Sequence, residues 1–239
     1  MKLIMIAMFI MVFPLVGFSK TVKICADKNY WYPFVFTKDG QVTGLQTDII
    51  KAALTKAGFE YSITPLPWKR CLSEMKKGKV DAAATASYKA KRAVYMNYPK
   101  DAATAKESNW RVSQVAYVVV SLAKDNYNYS GDLKTLPQPV YVPSGYSIAE
   151  DLRKLGLKVD DKAKSDLNNF KKLKRIKKGS VVTLLQLAQA VIKSPGMEDI
   201  FVIQKDPIKS KSYYLPFSKK SSLTESEQEK NMGCDSFCS

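Results

Sequence analysis

Residues 65–92 place the tightest constraint on what this chain can fold into. The run Pro-Leu-Pro-Trp-Lys-Arg-Cys-Leu-Ser-Glu-Met-Lys-Lys-Gly-Lys-Val-Asp-Ala-Ala-Ala-Thr-Ala-Ser-Tyr-Lys-Ala-Lys-Arg reads as a helix, a turn, a short strand and the start of a second helix. Trp68, Cys71, Leu72 and Met75 recur at i, i+3, i+4 and i+7, the spacing of one helical face. Gly78 falls where a helix C-terminus needs a left-handed residue. Residues 80–84 are a short apolar run, the length of a buried strand. Thr85, Ser87 and then Arg92 follow. A strand end leading to hydroxyls and an arginine at a helix start can gather an anion, because free N–H groups and the helix dipole converge there. The alternative is a surface β–α loop with a solvated arginine, and short motifs of this kind often arise by chance.

The same alternation extends upstream. Val22 and Ile24 alternate with polar residues in a strand over 21–26. An aromatic-dense stretch follows, with Tyr30, Trp31, Tyr32, Phe34 and Phe36, and then an Asp39-Gly40 turn. Thr47-Asp48 is expected to cap a helix carrying Ile49, Ile50, Ala53, Leu54 and Ala57, which stops at Gly58. Residues 61–66 form a second strand. A β-α-β-α-β order implies a parallel sheet with helices on its faces, and such sheets bind ligands beyond the carboxyl ends of their strands. Asp27, Tyr30 and Trp31, then Trp68, then Thr85 and Ser87 are therefore expected to converge.

Further along, 98–109 reads as a connection and 115–122 as a strong strand. A capped turn over 131–136, a strand over 140–142 and the turn Ser144-Gly145-Tyr146-Ser147 lead into a helix lined by Ile148, Leu152 and Leu155. A second β-α pattern thus begins near 115. Residues 181–185 read as a strand and 186–192 as a helix, with one helix across both as the alternative. Residues 200–203 and 213–217 are strand-like. From Ser218 the chain turns polar, and 231–239 has no periodicity and is expected to fray.

Composition narrows the class. Lys2 precedes an uncharged apolar run over 3–16, and Gly17-Phe18-Ser19 places small residues before a cut at Lys20. This is the pattern of a secretory signal peptide over 1–19, with an uncleaved anchor as the alternative. Export implies an oxidising compartment, in which Cys25 and Cys71 are predicted to pair, two buried thiols being the alternative. Cys234 and Cys238 lie in the polar tail. The chain has no histidine, which removes His-based triads, His metal sites and His acid–base catalysis. No metal and no cofactor are expected. The formal net charge of +16 permits acidic partners, but export argues against nucleic acid. The dense basic run over 171–178 carries Leu167, Phe170 and Leu173 at helical spacing, as a solvated helix face would.

Assembled, these residues resemble the periplasmic solute-binding proteins of family 3, the polar amino-acid-binding group that serves ABC transporters. The resemblance covers about 21–229 and rests mainly on Trp68, on Gly78-Lys79-Val80-Asp81, and on hydroxyls seven and five residues before Arg92. It implies an α/β chain with the type II periplasmic binding protein fold, two Rossmann-like lobes joined by a two-strand hinge. Lobe 1 would be 20–112 plus 213–239, and lobe 2 would be 113–212. It further implies that an aromatic at Trp68 stacks on the ligand, that Thr85, Ser87 and Arg92 hold its carboxylate, and that Tyr30 or Trp31, beside Asp27, forms the opposite wall. Ser147, in the Gly145-Tyr146-Ser147 turn, would close from the second lobe. Two departures stand out. The run Gly179-Ser180-Val181-Val182 leads to Gln186-Leu187, with no acid where the family holds a ligand ammonium, so Gln186 is the expected neutral substitute. The C-terminal run also differs from the expected apolar helix, so the helix that packs on the first lobe is expected to be missing.

The resemblance implies a periplasmic, monomeric binding protein, not an enzyme, that captures a small carboxylate-bearing solute and docks on an inner-membrane ABC permease. Three rivals are a ligand sensor for a membrane receptor, a dehydratase-like enzyme with Asp27 as its acid or base, and a polyanion binder driven by charge.

Overall fold

The computed structural model describes residues 20–232. The signal segment at 1–19 and the tail with Cys234 and Cys238 lie outside the described residues.

The chain opens with β1 (Thr21–Asp27), the hairpin β2 (Phe36–Lys38) and β3 (Gln41–Thr43), α1 (Leu45–Lys56) and β4 (Glu60–Leu66). The first helix starts two residues earlier than the Thr47-Asp48 signal suggested. Gly44, at φ 118, turns the chain into the helix, and the Thr47 hydroxyl donates back to the Gly44 carbonyl at 2.8 Å instead of capping. Next come α2 (Trp68–Lys77), closed as expected by left-handed Gly78, then β5 (Ala82–Ala83) and β6 (Ala86–Ser87). The run at 80–84 thus forms a much shorter strand than its composition implied. Thr85 sits at φ 63, which swings the chain out of one sheet, so that Ala86 and Ser87 pair elsewhere. The helix at Arg92 is a single turn, α3 (Ala90–Ala93), before β7 (Met96–Asn97).

The second half runs β8 (Ser113–Leu122), β9 (Val140–Tyr141), α4 (Ser147–Lys154), β10 (Val159–Asp160), α5 (Asp166–Ile176), β11 (Ser180–Leu184), α6 (Leu185–Ile192) and β12 (Phe201–Ile203). The strand-then-helix reading of 181–192 is the one adopted. The chain returns through β13 (Lys209–Tyr214) and β14 (Phe217–Ser218). The expected single strand at 213–217 is therefore two, broken at Pro216, which has no N–H to give to a ladder. A helix does follow the polar turn: α7 (Glu225–Met232) buries Gln228 and Met232, and Asn97 donates to Gln228 at 2.8 Å.

Two sheets result. The five-stranded sheet has the order β4-β1-β5-β14-β7, with β1 parallel to both β4 and β5. The other, of seven strands, runs β10-β9-β11-β8-β13-β6, with β12 on β8. The second sheet is mixed: β9 is parallel to β10 and β11, whereas β8 is antiparallel to β11 and β13. In the basic run, Phe170 and Leu173 are buried and Leu167 is exposed, so α5 presents one apolar stripe and a charged outer face. Asp81, ending the Gly-Lys-Val-Asp run, has a structural task. It accepts from the Lys23 amide at 2.9 Å and the Ser221 hydroxyl at 2.7 Å, tying β1 to the segment after β14.

Candidate functional site

The site lies where the two sheets meet. On the first-sheet side, β1 ends at Asp27, and Trp31 follows in an aromatic loop. Cys71, one turn along α2 from Trp68, is disulfide-bonded to Cys25 in β1, with Cα atoms 5.6 Å apart. This pairing, expected from the sequence, pins the helix that carries Trp68 to the strand that carries Asp27. Thr85, Ser87 and Arg92 complete this wall, and Ser147 faces it from the start of α4. Seven of the nine predicted residues thus line one cavity: Asp27, Trp31, Trp68, Thr85, Ser87, Arg92 and Ser147.

Tyr30 and Gln186 are not among them. Tyr30 is 59% exposed and stacks on Tyr32, with centroids 5.7 Å apart. Gln186 points from α6 into solvent, because Leu187 and Ala188 take the buried side of that helix. Tyr146 and Tyr213 are cavity residues that the sequence did not single out.

Arg92 is 3% exposed. Its guanidinium donates to the Ser87 carbonyl at 3.0 Å and the Gly145 carbonyl at 3.1 Å, and lies 5.4 Å from the Trp68 ring centre. No carboxylate among the described residues pairs with it. Arg92 Nε and Trp31 Nε1, both on the cavity residues, have no hydrogen-bond partner there. Buried donors are normally satisfied, so this wall holds spare donors and an uncompensated positive charge.

The opposing wall is close. Ser87 and Ser147 hydroxyls meet at 2.8 Å, and the Tyr146 hydroxyl donates to Asp27 Oδ2 at 3.0 Å. Gly145 permits this approach: at φ 81, a Cβ there would lie 3.3 Å from Trp68 Cδ1. Lys211 donates to Ser147 at 2.9 Å and to Asp151 at 2.6 Å. The cavity that remains has about 30 Å³ open to a water-sized sphere, room for about two waters at about 10–15 Å³ each. A solute of amino-acid size needs these walls to part.

Asp27 lines the same cavity as the arginine without pairing to it, and a second buried acid, Asp166, is not among the lining residues. Burial raises the Asp27 carboxyl, against the hydrogen bonds from the Asn29 amide and the Tyr146 hydroxyl. Asp166, the first residue of α5, is 4% exposed, and burial pushes it up to about 7. The Thr183 hydroxyl opposes that shift, although its geometry falls short of a hydrogen bond, and the Asp27 charge adds to it. Burial likewise pushes the Tyr213 phenol up to about 12 and Tyr146 well above its ordinary value. The arrangement can therefore meet an anionic group at Arg92 and a cationic one at Asp27. The sequence signal for Asp166 was present but indirect: a Ser-Asp pair opening a helix reads first as a cap, and Ser165 does accept from the Asn168 amide at 3.3 Å.

A model of bacterial extracellular solute-binding proteins, family 3, matches residues 22–194. The chain belongs to this family. Solved structures of amino-acid-binding proteins are also similar to this chain. An ancestral arginine-binding protein bound to arginine superposes with a TM-score of 0.70 at 19% identity, covering 91% of this chain and 90% of that one. The holo arginine-binding protein ArgBP from T. maritima gives 0.69 at 17% identity, covering 90% and 88%. The arginine-, lysine-, histidine-binding protein ArtJ from Geobacillus stearothermophilus gives 0.66 at 19%, covering 89% and 88%. At these identities the likeness shows the fold, the type II periplasmic binding protein fold. No curated protein matches the chain. Among the described residues of this solute-binding protein no helix is long and apolar enough to cross a membrane, and no cluster of three or more His, Cys, Asp or Glu is placed to hold a metal.

Proposed function

We infer that this solute-binding protein captures an amino acid, or a close relative bearing a carboxylate and an amine, and presents it to an inner-membrane ABC permease. The observation that carries the reading is Arg92, a buried guanidinium on the cavity wall with a free Nε and no carboxylate partner among the described residues. A planar fork of this kind matches a carboxylate through two parallel hydrogen bonds. Thr85 and Ser87 stand beside it and Trp68 under it, and Ser147 closes from the other side. The second half of the reading rests on Asp27 and Asp166. Both are held above the usual carboxylate range by burial, with the Asp27 charge adding to the cost at Asp166, and an ammonium bound at Asp27 would relieve it. This supplies the acid that Gln186 was expected to replace.

In this reading lobe 1 is 20–112 plus 213–239, lobe 2 is 113–212, and β8 and β13 are the strands that join them. Hinge opening about these strands admits the solute, and closure buries it. The similar ancestral arginine-binding protein, bound to arginine in one structure and to glutamine in another, supports an amino acid as the class of solute. A periplasmic location, a monomeric state and capture without catalysis follow the family's character. A thermal-shift screen against amino acids, dicarboxylates and oligopeptides tests the reading, since a ligand at a hundred times its Kd stabilises by about 2.7 kcal/mol. Amino acids should raise the midpoint and their amides should not. An unchanged midpoint with every carboxylate-bearing solute would overturn it.

A further inference from the structure

A second groove, of about 690 Å³, lies on the other side of Ser87 and β13, bounded by α3 and the connection over 102–107. Its chemistry differs from that of the cleft. Asp151, on α4, accepts from Lys89 on Oδ1, and from Lys211 at 2.6 Å and Lys209 at 3.2 Å on Oδ2. Three ammonium groups therefore share one carboxylate. Two of the three are not surface lysines: the Lys89 side chain is 11% exposed and the Lys211 side chain 9%. Lys209 and Lys211 stand two apart on β13, which puts both on one face of the strand. The groove walls hold four lysines, Lys106 included, against two acids, Glu107 and Asp151. The lining keeps an excess of two positive charges.

Removing an ammonium from water is costly unless a counter-charge replaces the lost hydration. A single carboxylate cannot neutralise three of them. A closing contact between α4 and β6 would need only one lysine, and the excess is therefore unexplained by closure. Ammonium groups are compact donors on flexible stems, suited to the rotating oxygens of a phosphate or polycarboxylate. Gln114 and Ser210, bonded to each other at 2.7 Å, add polar wall beside Lys209. We propose that this groove is a second ligand site, separate from the solute cleft, that takes a small multivalent oxyanion on Lys89, Lys209 and Lys211. The anion competes with Asp151 for the same ammonium groups.

Calorimetric titration of phosphate, and separately of citrate, into the purified protein tests this, with ionic strength held constant so that general screening is equal throughout. The two anions distinguish a phosphate site from a polycarboxylate site, and acetate is the monovalent control. Saturable binding of one multivalent anion is expected. Lys209→Gln, at a half-exposed position, should weaken it about tenfold, and Lys209→Glu should abolish it. Asp151→Asn should tighten it by a similar factor, because it removes the competitor, while Arg92→Met should leave it unchanged. Thermal melting of each variant establishes that it is folded, and the two Lys209 variants carry the test if Asp151→Asn is not. Absence of saturable heat with both phosphate and citrate overturns the proposal. So does acetate binding as tightly as they do, or anion binding that Arg92→Met removes and Lys209→Gln does not. Weaker binding in a folded Asp151→Asn variant also overturns it, because the carboxylate would then be organising the site instead of competing for it.

Discussion

Replacing Asp166 with asparagine should make the protein more stable above pH 7 and change it little near pH 4. The carboxyl is 4% exposed, and burial raises it from 3.8 to about 7, with the Asp27 charge acting in the same direction. Between those two values the folded protein holds a proton that the unfolded chain has released. The stabilisation due to that proton is complete below about pH 3.8 and is lost as pH rises through about 7. The gap of about three pK units is worth about 4 kcal/mol. That is a large share of the 5–15 kcal/mol that typically stabilises a domain of about this size. Asparagine has nearly the shape of the protonated carboxyl and cannot ionise, so it removes the loss. Urea unfolding of both proteins across about pH 4–8 measures the effect. The two stability curves should lie close together at the acid end and diverge by up to about 4 kcal/mol at the alkaline end, the variant being the more stable. Asp27 is also raised by burial, but it is present in both proteins and largely cancels in the difference. A gap that stays constant across the whole range would refute a buried, protonated Asp166.

Arg92→Met should cost about 2–5 kcal/mol of solute affinity, the scale for removing one partner of a buried charge pair. Its ligand-free melting point should move little, because the two lost carbonyl hydrogen bonds are offset by the relief of a buried charge; unchanged calorimetric affinity would sink the assignment of the carboxylate to Arg92. Replacing Cys25 and Cys71 together by serine should lower stability by about 2–4 kcal/mol, since the bridge closes a separation of 46 residues, and urea midpoints with and without reductant check this. Gly145→Ala should weaken solute binding, because a Cβ at φ 81 would press on Trp68 and Lys69 at 3.2–3.3 Å and hold the walls apart; calorimetry that shows wild-type affinity would contradict close contact at Gly145.

Much of the site was legible because it is built from local pieces. Trp68 opens a helix whose apolar face repeats at helical spacing, and that periodicity is written in adjacent residues. The Cys25–Cys71 bridge was expected from an oxidising compartment, and the convergence of Asp27, Trp31, Trp68, Thr85 and Ser87 follows from a β-α-β-α-β order, which forces strand ends to one edge. Tyr146 and Tyr213 were not legible in this way. Each lies in a turn or strand whose partner is remote in sequence, and their burial is set by the opposite wall. Tyr30 shows the converse: its place at the end of the first strand marked it for the cleft, but the loop turns it outward onto Tyr32.

The chain alone therefore indicated the α/β class, the β-α-β-α-β opening, the disulfide and seven of the residues that line the cavity. The class and the opening order rest on periodicity and on topological rules that act over short spans, and the choice of Arg92 and Ser147 on the family resemblance. Only the tertiary structure decided which acids are buried and coupled to one another. Asp166 stands on α5, seventy-four positions from Arg92, and its raised carboxyl comes from burial and from the charge of Asp27. The structure alone also gathered Lys89, Lys209 and Lys211 around Asp151. Desolvation and charge proximity depend on distances through space, and no spacing along the chain encodes them.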